Sequence, residues 1–181
     1  MRASRVLLSV VLAAASASVF AEPPAPPLVK FEGAIGVDPL TGVNGSDQLN
    51  VVRGISPGGR AWVIRKLKAT VGTDGTVSAK GAGLLLASGD VIGTRAGITH
   101  VAATLACGAA NATASLFTST PSPLDLAGNF DIGGVLSQDG VNAAVMPATC
   151  DNPVLLIRAA NAATGVASAW FAAGIVNADD D

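Results

Sequence analysis

The side chains in this chain that could carry out acid–base or nucleophilic chemistry are few and widely separated. His100 is the only histidine in the 181 residues, so an imidazole base could act only from that position. Its neighbours Thr99 and Val101 do not resemble the strained turn that presents a catalytic nucleophile. We therefore interpret His100 as a histidine at the surface or at the edge of a pocket.

Carboxylates are more numerous, but they show no catalytic or metal-binding spacing. Asp38, Asn44 and Asp47 lie in a glycine-rich loop, yet their spacing matches no EF-hand calcium site. A glycosidase-like pair would have to form across strands, and the spacing does not indicate one. We predict no metal and no cofactor. The remaining candidate acids fall in separate turns: Asp125, Asp131, Asp139 and Asp151.

Cys107 and Cys150 are the only cysteines. In an oxidising compartment an even pair indicates a structural disulfide, and the close Cys-x-x-Cys spacing of redox-active pairs is absent. The bridge would close a loop of 44 residues, counting both cysteines. We therefore predict one disulfide between Cys107 and Cys150.

A short segment combines three arginines with a tryptophan: Arg53, Arg60, Trp62 and Arg65. Such a group could form a recognition patch, although charged strand edges in contact with solvent are the simpler interpretation. The acids outnumber the bases, with a formal net charge of −2. No basic surface of the kind that nucleic acid requires is therefore expected. No partner is identified by the sequence.

The beginning of the chain has the pattern of a secretory signal peptide over residues 1–21. Arg2 and Arg5 precede an apolar stretch, and small residues then lead to a cleavage site after Ala21. The apolar stretch is shorter than the roughly 20 residues that span a bilayer. We predict a secreted or periplasmic protein with no membrane span after processing. The remaining chain divides into a Pro-rich extended spacer (22–30), a single domain (31–178) and an acidic tail (179–181).

Short apolar runs separated by Gly, Asn, Asp and Pro predict strands, and residues 66–86 give the clearest pattern. A three-residue loop over 73–75, with Gly75 left-handed, would make Val71 face Val77 and place the apolar side chains of both strands on one face. A two-residue loop would separate them. Similar alternation places Cys107 in the core at the end of a strand over 101–107 and predicts a closing hairpin around residues 161–165.

The strand rhythm predicts an all-β domain, either an antiparallel sandwich or a small barrel, with about eight to ten strands. Several runs are apolar on both faces, such as residues 84–86 and 154–157. They require a covering loop, a central position or a second copy of the chain, so a homo-oligomer stays open as an alternative. Asn44 and Asn111 begin glycosylation sequons, and the sequence does not show whether these are used.

Five segments of the chain carry a resemblance to other proteins: 52–65 (VRGISPGGRAWVIR), 83–87 (GLLLA), 103–107 (ATLAC), 155–158 (LLIR) and 170–175 (WFAAGI). In these segments the chain resembles a group of small secreted bacterial proteins of uncharacterised function. The resemblance covers most of the mature chain and implies no activity.

We therefore expect a secreted, non-catalytic β-domain that binds a partner or itself at the cell surface or in the periplasm. Two alternatives remain. The first is a secreted hydrolase or isomerase that uses aspartates or His100, which predicts these groups converging in a cleft. The second is a carrier of a small apolar ligand, which predicts a large apolar cavity inside the domain.

Overall fold

The computed structural model describes residues 24–43, 46–109, 114–138, 140 and 142–177. The predicted signal peptide with its cleavage site after Ala21 lies outside the described residues, as do Asn44, Asn111, Asp139 and the acidic tail. Within the described part every regular element is a strand, which confirms the all-β prediction. The described residues include no helix long and apolar enough to cross a membrane.

Thirteen strands are found in the described residues. The strands of the first half are β1 (Pro27–Gly36), β2 (Leu40–Val43), β3 (Ser46–Leu49), β4 (Trp62–Val63), β5 (Lys66–Gly72), β6 (Thr76–Ala82) and β7 (Leu85–Leu86). The strands of the second half are β8 (His100–Cys107), β9 (Ser115–Thr118), β10 (Ser122–Pro123), β11 (Phe130–Val135), β12 (Val154–Ala160) and β13 (Ala167–Val176).

Nine of these strands form one curled antiparallel sheet in the order β10-β8-β12-β13-β1-β5-β6-β11, with β9 also pairing with β8. The sheet curls until its two ends meet. Thr118 N donates to Ser137 O at 2.8 Å and Ser137 N donates to Thr118 O at 2.9 Å, joining β9 to the second residue after β11. Two small two-stranded sheets, β2-β3 and β4-β7, lie outside this order.

The hairpin of β5 and β6 has the predicted geometry. Val71 pairs with Val77 and Ala69 with Ala79, and the loop between the strands is residues 73–75. Gly75 has a φ of +83°, the left-handed conformation that such a loop requires at this position. Because Val71, Val77 and Ala79 are almost completely buried, the pattern of the sequence placed the correct face toward the core.

The core is continuous through the curled sheet. Fully buried side chains come from strands distant in sequence, including Phe31 on β1, Leu105 on β8 and Ile132 on β11. Strand β8 is buried on both faces, since Thr104 is as inaccessible as Leu105. Packing of this kind explains why several runs in the sequence are apolar at successive positions.

The predicted disulfide between Cys107 and Cys150 is present, with the two Cα atoms 4.9 Å apart. Cys107 ends β8 and is buried, while Cys150 belongs to the long connection from β11 to β12. The bridge therefore attaches that connection, which contains no long strand among its described residues, to the end of β8.

The structure differs from the sequence expectation at three boundaries. The turn residues 56–59 (SPGG) predict one strand over residues 51–55 and another over residues 60–71. The second is interrupted at Ile64 and Arg65, and its first part becomes β4 of a separate small sheet. The strand expected over residues 51–55 is only a bridge between Val52 and Ile55. Strand β1 begins at Pro27, so the last residues of the expected spacer belong to the sheet.

Candidate functional site

The four residues of the predicted recognition patch do not act together. Arg53 has a structural role, because its guanidinium donates to three backbone carbonyls: Gly108 O at 2.9 Å, Ala109 O at 2.6 Å and Asn152 O at 2.6 Å. The side chain therefore ties residues 50–62, which we call the covering segment, to the two chain regions that flank the disulfide. Arg65 is exposed, and its side chain lies along Gly83.

Trp62 is buried and stacks on Phe171 of β13, with ring centroids 4.1 Å apart and an angle of 23° between the ring planes. The covering segment is held against β13 by backbone bonds, since Gly58 N donates to Trp170 O and Trp170 N donates to Ser56 O. Trp62 N also donates to Val37 O. These bonds fix the indole, so the stacked pair is a rigid feature of the fold.

The stacked rings form the floor of a surface groove of about 690 Å³ that is open to solvent on one side. We call it the Trp62 groove. The residues that line it are Gly59, Arg60, Trp62, Leu86, Val91, Thr94, Ala96, Gly97, Ile98 and Phe171. Its volume and mainly apolar lining are typical of ligand-binding sites in proteins.

One wall of the Trp62 groove is the loop between β7 and β8, which is built from successive turns. Leu86 N donates to Thr94 O and Gly93 N donates to Leu86 O, so the loop folds back on the end of β7. The hydroxyl of Thr94 donates to Val91 O at 2.7 Å. These local bonds hold the wall in shape, although Val91 and Ile92 on it remain exposed.

Arg60 is the only ionisable side chain among the described residues that line the Trp62 groove. It is exposed at the rim and lies near Gly89 of the opposite wall. A groove with an apolar floor and one cation at its rim can bind an apolar group, but its lining supplies no acid–base pair. Of the predicted patch, the structure therefore brings Arg60 and Trp62 to one site and leaves Arg53 and Arg65 out of it.

His100 lies at the start of β8 and is half-buried. Its Nδ1 is 3.1 Å from the hydroxyl of Thr99, and which of the two donates depends on the imidazole tautomer. His100 lines neither the Trp62 groove nor the cavity around Arg158 described below. Among the described residues, no three His, Cys, Asp or Glu side chains are grouped so that they could hold a metal ion.

Two of the aspartates considered in the sequence, Asp125 and Asp131, have local structural roles. Asp125 accepts hydrogen bonds from the backbone and side chain of Asn129 across a tight turn, and these bonds lower the pKa of the carboxyl. Asp131 on β11 forms an ion pair of 2.8 Å with Lys80 on β6, which raises the pKa of the lysine. Both aspartates are exposed, and neither lines the Trp62 groove.

Residues 54–58 (GISPG) match the Gly-x-Ser-x-Gly pattern of serine hydrolases, so Ser56 must be weighed as a nucleophile. A nucleophile elbow needs a strand, a sharp turn at a strained serine and a helix. Here the carbonyl of Ser56 accepts a bond from Trp170, and Ser56 is not among the described residues with a positive φ. The next regular element after Ser56 is strand β4, so the helix that a nucleophile elbow needs does not follow the serine. The pattern is therefore met in sequence without its structural context.

Arg158, the only charged residue of β12, was not among the candidate site residues predicted from the sequence. In the structure its guanidinium is half-buried and lines a second cavity of about 350 Å³. A single arginine in the otherwise apolar sequence VLLIRAA is a signal that could have indicated it, because an isolated cation in a core strand needs a local reason.

The fold and these sites define a disulfide-linked, all-β domain with a surface groove over stacked aromatic rings. Comparison of the chain with protein-family models, with curated proteins and with solved structures finds no match. The functional argument therefore depends on the geometry of the sites themselves.

Proposed function

We propose that this chain is a secreted, non-catalytic binding module and that it binds an apolar segment of a partner polypeptide in the Trp62 groove. The observation that carries the proposal is the stacked pair of Trp62 and Phe171 under a mainly apolar wall. Large aromatic side chains held rigidly at the base of a pocket are typical anchors of protein recognition. Val91 lines the groove and is exposed, and its neighbour Ile92 on the same loop is exposed as well.

A polypeptide fits this groove better than a small ligand does. Small-molecule sites bury most of the surface of their ligand, which an open groove cannot do. A side chain that enters the groove from a partner is instead covered from above by the partner's own chain. The carrier hypothesis needs space inside the sheet, and there the ring of Phe130 lies directly over Gly81, with fully buried Ile132 beside it.

The disulfide and the absence of a membrane-spanning helix among the described residues are compatible with an oxidising, extracytoplasmic compartment. The signal-peptide pattern of residues 1–21 supports export directly. The proposed module therefore meets its partner outside the cytoplasm. A second copy of the chain is one partner that an exposed apolar rim could accept, and the solution mass of the purified domain distinguishes it from a foreign partner.

The proposal is tested with a library of random peptides selected against the purified, disulfide-bonded protein. We expect the selected peptides to carry apolar anchor residues and to bind Val91→Asp at least tenfold more weakly. The charge would have to be desolvated at the apolar rim, and a tenfold loss corresponds to about 1.4 kcal/mol. Measurement of peptide affinity by fluorescence anisotropy gives the ratio.

The matched control is Val166→Asp, which introduces the same charge at an exposed loop valine of the β12–β13 connection. This variant should bind the selected peptides as well as the unchanged protein does. Equal weakening by both substitutions would show that net charge and not the groove determines binding. Peptides that bind Val91→Asp with unchanged affinity would contradict the proposed site.

A further inference from the structure

Arg158 is held in one orientation by three acceptors on neighbouring strands. Its Nε donates to Ser168 O at 2.7 Å and its Nη2 to Ala167 O at 2.8 Å, two consecutive carbonyls of β13. Its Nη1 lies 3.2 Å from the hydroxyl oxygen of Thr104, which is completely buried on β8. The plane of the guanidinium is therefore fixed on the face of the sheet that carries Thr104.

None of these acceptors neutralises the positive charge. Among the described residues no carboxylate forms an ion pair with Arg158, and desolvation by burial lowers the pKa of its guanidinium. A partly buried cation is costly unless an anion accompanies it. The arrangement is thus that of a cation prepared for a counterion that the described part of the chain does not supply.

The guanidinium also retains donors. Of its five N–H groups, three are used by the described acceptors, which leaves one on each terminal nitrogen. Two donors on the terminal nitrogens of a planar guanidinium can bind both oxygens of a carboxylate in parallel. Lysine cannot reproduce this geometry, because its ammonium acts as a point charge.

The cavity next to Arg158, which we call the Arg158 cavity, has a volume of about 350 Å³ and a lining of mixed polar and apolar groups. Six of the described lining residues carry hydroxyl or amide groups, and none of the described lining residues is acidic. The residues that line it are Thr118, Ser119, Thr120, Pro121, Val135, Ser137, Gln138, Gly140, Asn142, Ala143, Arg158, Gly165 and Ala167. Among the described residues, none lines both this cavity and the Trp62 groove.

The Arg158 cavity lies across the place where the sheet closes. One wall contains Thr118 and Ser137, whose backbones form the closing pair of hydrogen bonds. The hydroxyl oxygens of Thr118 and Thr104 are 3.0 Å apart, so a chain of polar groups leads from the closure to the guanidinium. The floor of the cavity is therefore fixed by the main sheet.

We propose that the Arg158 cavity binds a carboxylate group of an external molecule. Arg158 binds both carboxylate oxygens, and the surrounding hydroxyl and amide groups provide further hydrogen bonds. A monoanion matches the single positive charge, whereas a phosphate dianion would leave one negative charge uncompensated in the cavity. This site is independent of the Trp62 groove, so either proposal can fail while the other stands.

The test is a titration of the purified, disulfide-bonded protein with carboxylate ligands at constant ionic strength. The arginine Nε–H signals are monitored by ¹H–¹⁵N NMR at each ligand concentration. Sodium acetate probes the shared carboxylate chemistry, while N-acetylalanine and glucuronate represent a peptide C-terminus and a sugar acid. We expect saturable shifts of the Arg158 signal with acetate, and the tighter of the other two ligands identifies the source. An equal response to neutral acetamide, or no saturable shift, would overturn the proposal.

Arg158→Gln is expected to weaken acetate binding at least tenfold, measured on the backbone amides that line the cavity. Arg158→Lys tests separately whether binding needs the two terminal nitrogens of the guanidinium. It keeps the charge, so it guards against a variant that fails to fold, and it should also bind acetate more weakly than arginine does. Arg65→Gln is the matched control, because it removes an exposed arginine that does not line the cavity. Equal weakening by Arg65→Gln would point to a nonspecific charge effect and overturn the site.

Asp139 follows Gln138 in the chain and is not among the described residues, so its carboxylate must be tested as an internal occupant. We expect Asp139→Asn to bind acetate as the unchanged protein does. Acetate binding that is detected only in Asp139→Asn would show that the chain supplies its own counterion. That result would overturn the proposal of an external carboxylate.

Discussion

Gly81 on β6 shows how closely single residues are fitted in the core. It pairs with Phe130 on β11, and a Cβ atom at this position would lie 2.1 Å from the Cζ atom of the phenylalanine ring. We predict that Gly81→Ala destabilises the protein by about 1–3 kcal/mol, the usual cost of forcing additional volume into a packed core. The free energy of unfolding, measured by urea denaturation, gives the value.

Gly133→Ala is the control for this prediction. Gly133 lies on β11, in the same pair of strands as Gly81 and Phe130. A Cβ atom added to Gly133 would meet nothing within 4 Å, and the φ of Gly133 is not positive. The methyl group should therefore be neutral or slightly stabilising, because alanine loses less backbone entropy on folding than glycine. A loss of the same size in both variants would mean that strand propensity and not the contact with Phe130 determines the effect.

Local sequence patterns were sufficient to predict the role of a residue where that role depends on its neighbours in sequence. The left-handed Gly75 and the facing pair Val71 and Val77 followed from alternation within one hairpin, and both are confirmed. The role of Arg53 was not accessible in this way, because its carbonyl acceptors belong to Gly108, Ala109 and Asn152, far along the chain. The sequence showed an arginine near a tryptophan and could not show what each contacts.

At the level of elements, the interruption between β4 and β5 has a geometric reason. Trp62 and Leu67 are both buried, yet they are an odd number of positions apart. Since side chains in a strand alternate between two faces, one continuous strand would expose one of them. The chain resolves this conflict by breaking at Ile64 and Arg65. The odd spacing of Trp62 and Leu67 can be read from the sequence, but the residue against which Trp62 packs, Phe171, could be found only from the structure.

The covering segment is the element whose attachment can be tested most directly. We predict that Arg53→Ala lowers the free energy of unfolding by about 1.5–3 kcal/mol, the range for hydrogen bonds to a charged group. It should also increase amide exchange in residues 50–62, because the segment loses its three bonds to the region of the disulfide. Denaturant unfolding and hydrogen exchange measure the two effects.

The comparison for Arg53→Ala is Arg65→Ala. Arg65 is exposed, and none of the side-chain hydrogen bonds or ion pairs described here involves it, so its substitution should change stability by less than about 0.5 kcal/mol. Faster exchange of the covering segment in Arg53→Ala without any change in global stability would still support a local structural role. Unchanged exchange of residues 50–62 would contradict this role.

For the whole molecule, the curled sheet closes between parts of the chain that the sequence could not pair. Strand β9 and the end of β11 meet at Thr118 and Ser137, and no alternation in either segment indicates the other. The sequence therefore predicted all-β structure and the disulfide, but it left open whether the strands form a sandwich or a barrel. The closing bonds also create a wall of the Arg158 cavity, so that site could not have been predicted before the closure was known.

The disulfide connects the stability of the whole molecule to the compartment in which it folds. A loop of this length stabilises the folded chain by about 4 kcal/mol in the chain-entropy model, because the bridge restricts the unfolded state. We predict that Cys107→Ala/Cys150→Ala is less stable than the oxidised protein by about that amount, measured by urea denaturation. Residues 22–181 produced in a reducing cytoplasm should be similarly weakened and should regain stability on oxidation. Equal stability of the reduced and oxidised chains would show that the core alone holds the connection between β11 and β12.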